Sequence, residues 1–222
     1  MPPEDRLLPA AEHTSGKGQV LATKHARALR ALNAEVYHCL PWLEVQKHSI
    51  GFYKPRHAPA DTRYLSIRLY IEQDPSPQFS DLTTEQRASA MFSRYVGPLL
   101  RRMTRSAGVR NDDGIDGFTI ILEWKKQATT AARERPVHET IAVFVDKVDA
   151  DEFVAGQATV PDLVSRARVL GFDGETALGP LRLAGGEDPH HARRRARSPD
   201  RGRLRAAQGR RPRRPPRIRD GG

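Results

Sequence analysis

A single cysteine, Cys39, stands among 222 residues. It excludes an intramolecular disulfide and any zinc or iron–sulfur centre built from clustered cysteines. No apolar run approaches the ~20 residues of a transmembrane helix, so no membrane span is expected. The polar first 18 residues, broken by Pro2, Pro3, Pro9 and Gly16, lack a basic start followed by an apolar stretch, and no signal peptide is read there. The expected location is the cytoplasm, or a secreted or periplasmic one if the assigned start has lost a signal peptide. Also lacking is any lysine in residues 186–222, a segment that nonetheless holds almost all of the net charge. Its 13 arginines face four acidic residues, which makes +9 of the chain's +10.

A sequence pI of 10.2 therefore describes an appendage, not the domain before it. Leu204 and Ile218 are the only large apolar side chains from 186 onward. They cannot offset the ~1–2 kcal/mol per residue that ordering a backbone costs, and like charges and prolines add to the cost. Residues 186–222 are expected to be disordered. As a polycation, the segment would hold nucleic acid by its phosphates, without sequence preference. Arginine without lysine is also what a GC-rich gene gives when read out of frame beyond its end, and that incidental reading is preferred here. The expected organisation is a flexible segment at 1–18, a single α+β domain at 19–185, and the Arg-rich tail.

Within the domain, Leu21, Ala28, Leu29, Leu32, Val36, Cys39 and Leu40 fall at helical spacing, and Pro41 ends that helix. Residues 45–54 form an uneven strand. Residues 63–73 alternate, with Leu65, Ile67, Leu69 and Ile71 on one side and Tyr64, Ser66, Arg68, Tyr70 and Glu72 on the other. Thr83 and Gln86 form a capping box that opens a second long helix, bent at Gly97-Pro98. Phe118, Ile120, Leu122 and Trp124 mark a third strand, and 141–145 a more central fourth. Thr159 with Asp162 caps a helix running to Gly171, and Pro180 marks an edge strand. This order predicts an α+β fold: a four- or five-stranded antiparallel sheet with two long helices on one face. It also hints at a duplicated helix–strand–strand unit.

The outer face of that sheet is the surface singled out for binding. Tyr64, Arg68 and Tyr70 share it, with Tyr53 expected across from them, and aromatics beside an arginine can stack bases, sugars or a peptide. Against that stands the ordinary preference of Tyr and Arg for half-exposed strand positions, which weighs more. No metal site is expected, since no two of the eight histidines share a His-x-x-x-His spacing. Residues 111–117 do not fit a calcium loop, because Ile115 stands where a ligand is needed and Asp116 where glycine is. Ser15-Gly16-Lys17-Gly18 lacks the flanks of a phosphate loop. Cys39 beside His38 is read as a buried thiol, and Glu123 and Asp146 as residues of neighbouring strands.

No cofactor is implied, and no set of nucleophile, base and oxyanion donors emerges. The expected function is that of a non-catalytic α+β module binding an unknown protein or small molecule by its sheet face or a helix edge. The alternatives are a nucleic-acid-associated protein that uses the tail and an enzyme of unknown class.

Overall fold

A computed structural model describes residues 2–56, 58–127, 136–174 and 176–183. Two compact units divide the chain, Met1–Asp188 and Pro189–Gly222, and every described residue lies in the first. The tail expected to be disordered, 186–222, lies outside the described residues.

At the amino-terminal end, Glu4–Arg6 and Ala10–Glu12 are single 3₁₀ turns. His13, expected in a flexible segment, is instead buried, at 4% exposure. Its Nε2 lies 3.1 Å from the Phe52 N–H and its Nδ1 3.1 Å from the Pro9 carbonyl. A backbone N–H can only donate, so Nε2 accepts and Nδ1 carries the proton.

The helix expected over 20–40 is two helices, α1 (Gly16–Lys24) and α2 (Ala26–Cys39), meeting at His25. Ser15 caps α1 by accepting the Gly18 N–H at 3.1 Å. On α2 the buried residues are Leu29, Leu32, Asn33 and Val36, with half-buried Leu40 packed against the core just beyond. That stripe leaves Cys39 exposed, which corrects the buried-thiol reading.

Strands β1 (Leu43–Val45) and β2 (Gly51–Tyr53) both pair antiparallel with β3 (Tyr64–Ile71). The uneven strand expected over 45–54 is thus broken in two, with His48 at the break in a left-handed conformation (φ 51°). After β3 come α3 (Pro77–Ser80), α4 (Thr84–Met91), a π-helical run (Phe92–Val96), α5 (Gly97–Met103) and α6 (Ala107–Arg110). The capping box on α4 forms, and the interruption expected at Gly97-Pro98 takes the form of that π run. Pro98 has no amide hydrogen to offer the carbonyl four residues back, and the wider turn accommodates the missing bond.

The remaining elements are β4 (Gly117–Lys125), β5 (His138–Asp146), α7 (Lys147–Val154), α8 (Val160–Arg166), β6 (Arg168–Asp173) and β7 (Thr176–Pro180). Among the described residues the sheet has seven strands in the order β1-β3-β4-β5-β6-β7, with β2 also beside β3. Two parts of the expected sheet are corrected. The first is the strand count. β6 occupies positions assigned to the end of a helix, because Ala167 turns extended (φ −68°, ψ 140°) and Val169 pairs with Val143. The second is direction, since β3 and β4 run parallel. The four helices between them return the chain to the end of the sheet where β3 began, so β4 enters alongside it.

One face of the sheet meets the helices. Leu65, Ile67, Leu69 and Ile71 of β3 and Phe118, Ile120, Leu122 and Trp124 of β4 are at most 2% exposed. They form one cluster with Leu29, Val36, Phe92, Leu99 and Phe153. No helix among the described residues is long and apolar enough to cross a membrane.

Candidate functional site

The four residues singled out on the outer face lie along β3 and β2. Tyr53 and Tyr64 are direct cross-strand partners. Both phenols are engaged: Tyr53 donates to the His48 carbonyl at 2.5 Å, and Tyr64 donates to Asp146. Burial, with the Asp146 carboxylate beside it, raises the Tyr64 phenol above the ordinary tyrosine range. Gly117 makes that position, because a Cβ there would stand 2.6 Å from the Tyr64 ring and 2.5 Å from the Val145 carbonyl. Arg68 is exposed but pairs with Glu123 at 2.8 Å. Tyr70 packs edge-on against His138, ring centres 5.4 Å apart. Six residues of strand, ~20 Å at 3.4 Å per residue, separate Tyr64 from Tyr70. Glu123 and Asp146 are equally far apart: Asp146 pairs with Gly117, at the other end of β4.

The arrangement best suited to a ligand lies elsewhere, in a cleft of about 520 Å³ between α2 and α5–α6. Its floor is apolar, made by Ala28, Leu29, Leu32, Leu65, Met103 and Val109. Its rim carries Lys24, Arg27, Arg102 and Arg105. Glu35 on α2 holds Arg105 at 2.9 Å and Arg102 at 3.3 Å, while Asp112 takes Lys24 at 2.8 Å. Arg27 has no ion-pair partner among the described residues. Four cations against two carboxylates leave the rim with a surplus of positive charge. Arg102 is fully engaged within the fold, its Nε facing Glu35 and its Nη1 donating to the Pro98 carbonyl at 3.1 Å, so the surplus charge rests with Arg27.

At one end of the cleft, His25 is 6% exposed and its Nε2 lies 2.7 Å from Asp112 Oδ2. Asp112 also accepts the Gly114 N–H at 2.8 Å, and these donors fix the turn that sequence placed at 111–117. The Lys24 ammonium, with the Gly114 amide and the His25 ring, holds the Asp112 carboxyl well below the ordinary carboxylate range. A depressed folded-state value means that the stabilisation is complete above the ordinary value of 3.8 and is lost as pH falls below it. Asp112→Asn is therefore expected to lower stability by ~1.5–3 kcal/mol at pH 7. The deficit should shrink as the pH falls toward 2. Urea midpoints across that range measure it, and a deficit independent of pH would show that the charge contributes nothing.

A second buried constellation is closed to solvent. Arg87 of α4 grips Glu139 of β5 with both prongs of its guanidinium, Nε–Oε2 and Nη2–Oε1 each at 2.6 Å. The Trp124 indole N–H reaches Glu139 Oε2 at 3.1 Å. With side chains only 4% and 1% exposed, the pair clamps α4 to the sheet and offers no access to a ligand.

Among the described residues, no group of three His, Cys, Asp or Glu side chains is placed to hold a metal ion. The chain matches no protein-family model, no curated protein and no solved structure. Sequence reasoning missed the cleft because its parts are distant in the chain. His25, at one end of it, and its partner Asp112 are 87 residues apart.

Proposed function

We propose that this chain is a non-catalytic binding module whose cleft takes an amphipathic anion, an apolar body ending in a carboxylate or phosphate. The observation that carries this reading is the pairing of an apolar floor with a cationic rim on which Arg27 has no ion-pair partner among the described residues. A cleft of about 520 Å³ falls in the range of small-molecule sites, where apolar walls supply affinity and a few polar groups fix orientation. The guanidinium of Arg27 suits a carboxylate or phosphate, both of which accept from its planar fork.

Calorimetric titration of the full chain with octanoate and octyl phosphate tests the proposal, with octylamine as the charge-reversed control. The anions should saturate one site. Arg27→Ala should weaken them by about 10–100-fold, the equivalent of a lost hydrogen bond to a charged group. Ala28→Trp, which fills the cleft from half-buried helix surface, should abolish binding. Equal binding of octylamine, or anion binding indifferent to both variants, would refute it.

A further inference from the structure

A second cavity, of about 320 Å³, lies on the other side of α2 against the edge strand β1. Pro3, Tyr37, Pro41, Leu43 and Val45 give it apolar walls. Its charged lining is the reverse of the first cleft's. Arg6 is held by Glu44 at 3.1 Å, and Glu72 is exposed with no ion pair to the other described residues, so the lining is negative overall.

Asn33 of α2 lines the same cavity and is only 3% exposed. Its Nδ2 donates to the Pro3 carbonyl at 2.9 Å, whereas its Oδ1 is buried with no partner. Exchanging the two amide atoms does not resolve this, because it would set oxygen against the Pro3 carbonyl oxygen. A buried acceptor is ordinarily satisfied by protein or by ordered water, and one left unpaired in the wall of a cavity calls for a donor from outside. Tyr37, exposed at the same cavity, offers an aromatic face to the body of the molecule that brings it.

From the unpaired acceptor, the negative lining and the apolar walls, we infer a second binding site, for a small primary amine with an aromatic or apolar body. The ammonium donates to Asn33 Oδ1 and is balanced by the Glu72 charge. The body lies among Pro3, Tyr37 and Pro41. This site is independent of the anion cleft, with the opposite charge preference.

Titration of the full chain with phenethylamine, followed by calorimetry and amide chemical shifts, tests the inference, with 3-phenylpropionate as the charge-reversed probe. Phenethylamine should saturate one site with shifts centred on residues 33–45, and 3-phenylpropionate should not bind there. Asn33→Leu and Glu72→Lys should each weaken the amine by about tenfold or more, the scale of one lost charge-assisted hydrogen bond. Glu72 is exposed, so its variant keeps the test decisive even if Asn33→Leu fails to fold. Arg27→Ala should leave amine binding unchanged, which separates this site from the anion cleft. No saturable binding of phenethylamine at millimolar concentration, or affinity retained in Glu72→Lys, would overturn the inference and leave Asn33 Oδ1 to a water molecule.

Discussion

Replacing Arg87 by methionine should destabilise the domain by about 3–5 kcal/mol, the range for removing one partner of a buried ion pair. Without the guanidinium, Glu139 remains at 1% side-chain exposure, with the Trp124 indole at 3.1 Å and the Thr84 hydroxyl at 3.3 Å as its hydrogen-bond donors. Those two donors cannot replace a bidentate cation. The loss reaches further, because Arg87 Nη1 also donates to the Ser80 carbonyl at 3.1 Å and to the Leu82 carbonyl. These bonds fasten the turn between α3 and α4. Removing both charges is a different matter: Arg87→Met with Glu139→Leu should recover much of the deficit, since no buried charge is then left alone. Recovery should be incomplete, because the Trp124 N–H and two carbonyls lose their partners. Urea unfolding of the two single variants and the double variant measures both effects. A single-variant cost below about 1 kcal/mol would show that water reaches the pair.

Phe92→Ala is expected to cost a similar ~3–5 kcal/mol, for an apolar reason. Phe92 is fully buried and opens the π-helical run between α4 and α5, in one cluster with the core faces of β3 and β4. Truncation removes its ring and leaves a cavity in a segment whose helical path is already fixed by Pro98. The neighbouring Met91 is half-buried, and Met91→Ala should cost distinctly less. Equal costs for the two variants, read from denaturant midpoints with unchanged slopes, would mean that the helix presents a different face to the sheet.

The expectations that held were those with a local period behind them. The alternation of Leu65, Ile67, Leu69 and Ile71, and of Phe118, Ile120, Leu122 and Trp124, was legible because side chains two apart on a strand share a face. Both faces are buried as that pattern requires. The caps at Thr83–Gln86 and Thr159–Asp162 were legible because each is complete within four residues, and both form. Where the period fails or is short, the reading failed with it. β6 is six residues long and directly follows a capped helix, so its Val169 and Leu170 were absorbed into that helix. At Cys39 the error was one of angle, since a stripe spaced by three and four residues passes through Leu40 and leaves Cys39 to its side.

Sequence by itself determined the α+β composition, the core faces of the two longest-patterned strands, and the two helix starts that carry a capping box, because each is a property of adjacent residues. Tertiary structure alone decided that β3 and β4 run parallel. That depends on where four intervening helices deliver the chain, a matter of crossover geometry with no local signature. It alone joined Arg87 to Glu139 across 52 residues and His25 to Asp112 across 87. It also set basic side chains from α2 and α5 around one apolar floor while leaving the Asn33 oxygen unpaired on the opposite side of α2. Charge and hydrogen bonding act between whichever groups the fold brings within about 3–4 Å, and the spacing of residues along the chain carries no record of that distance.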